Sequence, residues 1–254
     1  MDWHTLAAKL FPLGHTITEQ DNLISGTAQA CGGTIAVVGT TGHAPIGVEI
    51  ALAQAQAILA VVRQHPGRAI LLLVDTQGQR LRHRDEMLGI NSYMAHLGKC
   101  VELARRRGHR VVALVYDQAL SGGFITSGLM ADACYALPAA TIRVMGLPAM
   151  ARITKVPEER LVELAASNPV FAPGPENYLR MGGLEGIWDG DLKQLLEQAF
   201  SVASPVDGRS ALYESLIRGK NPPRPRTPAS FAVLVKELQG LGLELIPERG
   251  KETA

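Results

Sequence analysis

The sequence predicts an α/β fold, and three observations support this. Short runs at 34–39, 69–74 and 111–116 are almost wholly apolar, as is typical of strands that are covered on both faces. Longer segments with helical periodicity separate these runs. Shorter apolar runs at 134–137 and 141–145 continue the alternation. Strands that alternate with helices favour a sheet packed between helical layers.

Two helices are predicted between the main strands. Apolar residues recur on one side of 47–64, and the His-Pro-Gly sequence at 65–67 ends that helix. The segment 85–107 carries apolar residues at spacings of three and four, which gives one continuous apolar face. Arginines at its end suit the negative pole of the helix dipole, and Gly108 follows as a cap.

The composition indicates an ordinary globular protein. Of the 254 residues, 46% are apolar and 19% are charged, which excludes an intrinsically disordered chain. The net charge of +1 favours neither a nucleic acid nor a membrane surface as a partner. The longest apolar run, 69–74, is far shorter than a membrane span. No signal peptide is visible, so we expect a cytoplasmic protein.

The cysteines predict neither a disulfide framework nor a zinc site. The chain has three, Cys31, Cys100 and Cys134, at wide spacings and without a CxxC pair. Each lies among small or apolar residues, which predicts buried thiols. We therefore expect no bound metal.

The chain changes character after residue 145. Proline- and glycine-rich stretches separate four further predicted helices, at 157–167, 176–181, 191–202 and 228–241. The proline-rich segment 221–226 is predicted to be a short stiff connector. We therefore expect a main domain at 1–220, followed by a connector and a C-terminal helix at 221–254.

Residues 228–246 also resemble a short stretch of the bacterial RNA polymerase beta subunit. No similarity is apparent elsewhere, and the segment has no basic face of the kind that nucleic acids need. We interpret this likeness as coincidence.

Two glycine-bearing turns follow buried strands and are the main functional signal. The first is Asp-Thr-Gln-Gly-Gln at 75–79, and the second is Ala-Leu-Ser-Gly-Gly-Phe at 119–124, which leads into a helix predicted at 124–131. Glycines at a junction of strand and helix allow a sharp turn that exposes N–H groups at the positive end of a helix. Such groups bind an anion or polarise a carbonyl oxygen. Because both turns follow neighbouring parallel strands, we expect them to meet at one edge of the sheet.

The motifs resemble the crotonase and acyl-CoA carboxyltransferase superfamily over about 24–189. An aspartate-bearing glycine turn at 75–78 precedes an acidic-to-glycine helix start at 85–89. The Leu-Ser-Gly-Gly at 120–123 resembles the second oxyanion-hole turn of that superfamily, and 178–189 resembles its closing motif. The resemblance implies a repeated ββα superhelix of the ClpP/crotonase type, here with additional C-terminal helices.

More narrowly, 121–129 and 143–151 resemble the gamma subunit of malonate decarboxylase. The resemblance implies a heterodimer with a beta subunit of the same fold, which decarboxylates malonyl carried on the phosphopantetheine-type arm of an acyl carrier protein. An acyltransferase subunit is the further partner that it implies. No metal or organic cofactor would be bound by this chain.

The turns and the resemblance together give one set of candidate site residues. Three glycines are expected to act as backbone oxyanion donors: Gly78, Gly122 and Gly123. The expected substrate contacts are Gln77, Arg80, Arg82, Ser121, Phe124, Met145 and Gly146. The basic segment 78–84 is expected to be a solvated, mobile loop that approaches the substrate or its carrier. Ser121 is interpreted as a turn residue rather than a nucleophile, because no His–Asp pair is placed to activate it.

Three alternatives remain open. One is a non-catalytic scaffold that only supports the beta subunit, which would tolerate bulky residues at Gly122 and Gly123. A subunit of a biotin-dependent decarboxylase or carboxyltransferase would hold carboxybiotin. The sequence does not clearly distinguish such a subunit from the gamma subunit of a malonate decarboxylase. A stand-alone hydratase or isomerase of the crotonase type would place a pair of carboxylates over the thioester. The helix after the second glycine turn has no acid before Asp132, which counts against that alternative.

Overall fold

Nine strands form one sheet in the structure, a computed structural model that describes residues 1–30, 32–167, 174–180 and 182–202. In chain order the strands are β1 (Thr18–Gln20), β2 (Leu23–Ala30), β3 (Gly33–Thr40), β4 (Ala44–Ile46), β5 (Ile70–Gln79), β6 (Val111–Leu120), β7 (Ala133–Ala136), β8 (Thr141–Arg143) and β9 (Gly186–Ile187). The helices are α1 (Trp3–Leu10), α2 (Val48–Gln64), α3 (His83–Met87), α4 (Ile90–Arg106), α5 (Ser121–Phe124), α6 (Leu147–Thr154), α7 (Glu158–Ser167), α8 (Pro175–Arg180) and α9 (Leu192–Ser201). A π-helical turn, Ile125–Leu129, directly follows α5.

The strands β5 and β6 are long enough for each to pair with different neighbours in its first and second halves, which gives two rows of paired strands. Their first halves pair in parallel with β3 and β7, in the order β3-β5-β6-β7. Their second halves pair with the short strands β4 and β8. The register between β5 and β6 shifts between Val74 and Thr76, where β5 changes from the first row to the second. Two strand rows followed by a helix form one ββα unit, so the predicted repeat of such units is confirmed.

The edge next to β3 is antiparallel, and this part of the fold was not predicted. Strand β2 pairs antiparallel with β3 over its whole length, and β1 pairs antiparallel with β2. The sequence of β2, Leu-Ile-Ser-Gly-Thr-Ala-Gln-Ala, lacks the apolar run by which we identified the other strands, because most of its side chains are only half-buried. All three residues of β1 are exposed.

Both faces of the parallel sheet are covered, as the apolar strands predicted. One apolar cluster fills the space between the sheet and the helices α2 and α4, and includes Val74, Val115 and Phe124. A second cluster lies between the opposite face and the helices α1 and α9, and includes Leu71 and Leu114. Alternate residues of β5 and β6 therefore contribute to different cores.

Several helix predictions need correction. The single helix predicted at 85–107 is two helices, α3 and α4, because Gly89 between them has φ +75° in the left-handed region. The helix predicted from 124 begins earlier, at Ser121, and continues as the π-helical turn. The helices α1 and α6 were not predicted. The predicted helices at 157–167, 176–181 and 191–202 correspond to α7, α8 and α9.

The predicted connector at 221–226, the helix at 228–241 and the domain boundary at 220 lie outside the described residues and stay predictions. Among the described helices, none combines the length and the apolar character needed to cross a membrane.

Candidate functional site

A half-open cavity of about 670 Å³ lies where the second strand row ends. Three of the predicted site residues line it, namely Gln77, Arg80 and Gly146. Ligands of parallel α/β sheets typically bind beyond the carboxyl ends of the strands, which is where this cavity is found. We take this cavity as the candidate site.

The two predicted glycine turns are in direct contact. A Cβ added to Gly78, whose φ is +94°, would lie 2.8 Å from Cβ of Ser121 and 2.9 Å from the carbonyl oxygen of Leu120. A Cβ on Gly123 would lie 3.1 Å from Cα of Gly78 and 3.0 Å from Oγ1 of Thr76. Side chains are excluded at both glycines because backbone meets backbone there. The expectation that both turns meet at one edge of the sheet is therefore confirmed.

The amides of the three predicted donor glycines are in different situations. The N–H of Gly78 donates to Oγ1 of Thr76 at 2.9 Å, and that hydroxyl donates to the carbonyl oxygen of Ala44 at 2.6 Å. The Gly78 amide is thus already engaged inside the protein. Gly122 and Gly123 lie in the first turn of α5, where amides have no acceptor within the helix.

Ser121 makes the sharp turn between β6 and α5. Its φ is +53°, a left-handed conformation that is uncommon for a residue other than glycine. This backbone angle turns the chain so that the helix starts directly at the end of the strand. The interpretation of Ser121 as a turn residue agrees with its position.

The basic segment after the first turn, which we expected to be a solvated, mobile loop, is an exposed loop only in part. Gly78 and Gln79 end β5, residues 80–82 have no regular secondary structure, and His83 and Arg84 begin α3. The arginines of the segment are paired with acids. Arg82 Nε donates to Asp85 Oδ2 at 2.8 Å, and Arg84 NH1 donates to Glu49 Oε1. Arg80, the arginine of this segment that lines the cavity, lies 3.7 Å from Glu49 Oε2. The ion pairs hold Arg82 and Arg84 in place, so their predicted contact with a substrate stays a prediction.

Asp85 joins the start of α2 to α3. Its side chain is fully buried, and Oδ1 accepts a hydrogen bond from the backbone N–H of Val48 at 3.2 Å. The hydrogen bond from Arg82 is the main reason why the pKa of Asp85 lies below its usual value, and the Val48 amide lowers it further. This carboxylate fixes the segment from which Arg80 reaches the cavity.

Two other predicted contacts, Phe124 and Met145, do not line the cavity, and neither do Arg82, Ser121 and the three donor glycines. Phe124 is buried and packs edge-on against Tyr178, with ring centroids 5.8 Å apart. Its place in the core explains why Gly128 is a glycine, since a Cβ there would lie 2.6 Å from the Phe124 ring. Met145 is half-buried between β8 and α6. A direct substrate contact by either residue stays a prediction.

A cluster of one histidine and two aspartates was not predicted. His43 Nε2 lies 3.4 Å from Asp117 Oδ1 and 3.7 Å from Asp75 Oδ1. Asp75 is buried and accepts hydrogen bonds from the backbone amides of His43 at 2.9 Å and Gln118 at 3.3 Å. Burial is the main reason why the pKa of Asp75 is raised. Asp75 therefore ties the loop after β3 to β6.

The family model of the malonate decarboxylase gamma subunit, MdcE, matches residues 41–221. A relative from Malonomonas rubra, the malonyl-S-ACP:biotin-protein carboxyltransferase MADD, is 37% identical over 173 residues, which cover 60% of this chain and 59% of that protein. The chain thus spans less than two thirds of the length of this relative.

Solved structures support the fold. One chain in the structure of the MdcD–MdcE hetero-dimer of a Pseudomonas malonate decarboxylase matches this chain with a TM-score of 0.68 and 24% identity. The match covers 84% of this chain and 97% of that one. At this identity the match establishes the fold, which is the crotonase-like carboxyltransferase fold that the resemblance implied.

A different similarity corrects one interpretation. The RNA polymerase beta subunit of Salinibacter ruber is 46% identical over 70 residues, which cover 26% of this chain and 5% of that protein. This match is much longer than 228–246, the segment in which we noticed the likeness, so its interpretation as coincidence is wrong. It covers too little of the polymerase subunit to indicate a shared activity.

The buried ion pair of Asp85 gives a pH-dependent prediction. The native pKa of Asp85 is lower than that of an unfolded aspartate, about 3.9, so its carboxylate stabilises the native state above that pH. This contribution is lost as the pH falls through the native pKa. We expect Asp85→Asn to lower Tm at neutral pH, and the difference from the wild type to shrink as the pH falls from about 5 to about 2. Thermal unfolding across this pH range measures it.

The matched control is Asp189→Asn, which makes the same chemical change at an exposed position. We expect it to leave Tm almost unchanged. A Tm difference for Asp85→Asn that stays constant down to the lowest pH would contradict the role of the ionised carboxylate.

Proposed function

The chain belongs to the malonate decarboxylase gamma subunit family, and on that premise we propose that it forms, with a beta subunit of the same fold, a unit that decarboxylates a malonyl thioester. The substrate would be carried on the phosphopantetheine-type arm of an acyl carrier protein. An acyltransferase subunit would load that carrier, and the whole assembly would be cytoplasmic. The observation that carries the proposal is the contact between the two glycine turns at the edge of a half-open cavity.

The charges around the cavity suit a carboxylate ligand. Arg80, Arg152 and His43 line it, and no acidic residue of the described chain does. A guanidinium group binds carboxylates through charge-assisted hydrogen bonds. The same lining argues against a hydratase or isomerase of the crotonase type, which needs carboxylates over the thioester. We propose that this chain binds the carboxyl end of the malonyl group.

The proposed reaction needs stabilisation of one developing charge. The bond between the carboxylate carbon and the α-carbon breaks, carbon dioxide leaves, and the electron pair forms an enolate with its charge on the thioester oxygen. A proton from solvent then gives the acetyl thioester. Preorganised N–H donors aimed at the enolate oxygen, or at the departing carboxylate, lower the barrier. Because the Gly78 amide is already engaged, we assign the donor role to Gly122 and Gly123.

Exposed apolar side chains support an obligate partner. Within the described chain, the large apolar side chains with the greatest exposure are Leu81, Met87 and Ile153. Such residues are covered in stable complexes and promote aggregation when they are left free. Leu81 also lines the cavity, so a partner on this side would close it. We propose that the beta subunit does so.

Carboxyl transfer to biotin is the second candidate function. The relative from Malonomonas rubra is named as a carboxyltransferase that acts between malonyl-S-ACP and a biotin protein, and it is 37% identical to this chain. In that reaction the carboxyl group would pass to biotin instead of leaving as carbon dioxide. The cavity lining suits either outcome, since both begin with the same carboxylate.

The first prediction concerns the donor glycines. A Cβ on Gly122 would meet no atom closer than 4.0 Å, so Gly122→Ala should fit and leave turnover near the wild-type value. Gly122→Pro removes the N–H at the second position of α5, and should lower kcat of the assembled complex by about 10²–10³. Steady-state kinetics of malonyl-thioester decarboxylation measure this. A well-assembled Gly122→Pro complex with wild-type kcat would refute the donor role.

The substitution Gly123→Val is a poorer test of a lost donor. A Cβ on Gly123 would lie 3.1 Å from Ile46 Cγ1 as well as close to the other turn, so valine must displace its neighbours. Any loss of activity would then combine misplaced backbone with damaged packing.

A second prediction separates the arginines. Arg80→Gln removes a charge that lines the cavity, and should raise KM for the malonyl thioester by about 10-fold or more, since a hydrogen bond to a charged group contributes about 1.5–3 kcal/mol. Arg84→Gln makes the same change on an arginine paired with Glu49, and should leave KM unchanged. Equal effects from both variants would show that net charge, rather than position, matters.

The third prediction concerns the partner and the fate of the carboxyl group. The chain alone should release no carbon dioxide from malonyl thioester, and adding the beta subunit should restore the release. Avidin should have no effect on a biotin-independent decarboxylase, whereas inhibition by avidin would favour the biotin carboxyltransferase. Full activity of the isolated chain would refute the subunit assignment.

A further inference from the structure

The side chains of His43, Asp75 and Asp117 bring one imidazole nitrogen and two carboxylate oxygens close together. Nε2 of His43 lies 3.4 Å from Asp117 Oδ1 and 3.7 Å from Asp75 Oδ1, and it hydrogen-bonds to neither oxygen. The three atoms lie within 4.8 Å of one another. Three potential ligand atoms are therefore near one another.

In each carboxylate of the cluster, the two oxygens have different partners. Oδ2 of Asp75 accepts the backbone N–H of His43 at 2.9 Å, and Oδ2 of Asp117 lies 3.4 Å from the amino terminus of Met1. Both Oδ1 atoms face the same imidazole nitrogen. The Gln118 amide donates to Asp75 Oδ1 at 3.3 Å and helps to orient it, as outer hydrogen bonds orient metal-binding carboxylates.

The two distances from His43 Nε2, 3.4 Å and 3.7 Å, are close to those between ligands of one small metal ion. Ligand bonds of about 2.0–2.2 Å in a tetrahedral zinc site place neighbouring ligand atoms about 3.3–3.6 Å apart. We propose that His43 Nε2, Asp75 Oδ1 and Asp117 Oδ1 bind a divalent transition-metal ion of the zinc class. The imidazole ligand disfavours magnesium and calcium, which take oxygen ligands.

The surroundings favour an exchangeable ion with a free coordination position. Asp75 is only 3% exposed, whereas the side chains of His43 and Asp117 are 54% and 39% exposed. Three protein ligands leave a fourth position for water or an oxygen of a bound molecule, as in catalytic zinc sites. His43 lines the cavity, so this position is next to the proposed carboxylate site.

The backbone at His43 is held in an uncommon conformation. Its φ is +50° and that of the preceding Gly42 is +65°, so two consecutive residues are left-handed. A residue other than glycine persists in this region when its surroundings fix it, and such positions concentrate at functional sites. Here the bond from the His43 amide to Asp75 fixes the backbone over the carboxylate that its ring faces.

Binding is tested on the purified full-length chain, or on its complex with the beta subunit, after treatment with a chelator. Zinc is titrated by calorimetry, and cobalt by its visible absorption, which reports coordination directly. The wild type should bind one equivalent of either ion. His43→Ala and Asp117→Asn should each weaken binding by about 10-fold or more and abolish the cobalt bands. Asp117 is partly exposed, so this variant should remain folded.

The control is His4→Ala. Nδ1 of His4 lies 3.8 Å from Asp2 Oδ1, so this exposed pair resembles His43 with a single carboxylate. We expect its removal to leave zinc affinity unchanged. Failure of the wild type to bind either ion, or equal binding by wild type and His43→Ala, would overturn the proposal and leave His43 as a simple ion-pair partner of the two aspartates. Because the readout is binding, this result is independent of whether decarboxylation is observed.

Discussion

The close contact between the turn after β5 and the turn after β6 is the constraint on which the site depends. The two strands change partners near this point, from the first row to the second, and their ends approach closely enough to exclude a side chain at Gly78 and Gly123. The hydroxyl of Thr76 closes the arrangement by accepting the Gly78 amide and donating to β4. The start of α5 is therefore positioned by backbone contacts rather than by flexible side chains, which is what preorganised donors require.

The sequence predicted those parts of the fold that a local pattern of apolar residues indicates. The apolar runs of β3, β5 and β6 are buried on both faces, so they could be identified without knowledge of their partners. Strand β2 is half-buried and has no such run, and β4 is only three residues long. Strand β4 is stabilised by pairing with β5, which is far along the chain, and a local pattern cannot show this. Strand β2 is stabilised by its hairpin with β3. The break between α3 and α4 was missed because the apolar spacing continues past Gly89.

The site could be predicted in part for the same reason. Glycines that must lie in a turn are visible in sequence, so the contact of the two turns was anticipated. The roles of charged residues depend on tertiary neighbours: Arg84 meets Glu49 and His43 meets Asp117 only in the folded chain. The ion pairs of the basic segment were not predicted, because its acidic partners lie in α2 and in α3.

The charges near the cavity form two layers. Arg80, Arg152 and His43 line the cavity, while Asp75 and Asp85 are buried behind the lining and hold its backbone by accepting amide N–H groups. Buried acids in this position keep the basic groups oriented without presenting negative charge to a ligand. A metal ion held by His43 and the two aspartates would extend the same layering, because it would add positive charge at the edge of a cavity that is already lined by cations. An anionic ligand and a bound metal ion are therefore compatible here. The ligand reduces the repulsion between the metal ion and the cationic lining, and the metal ion reduces the repulsion between the ligand and the two aspartates.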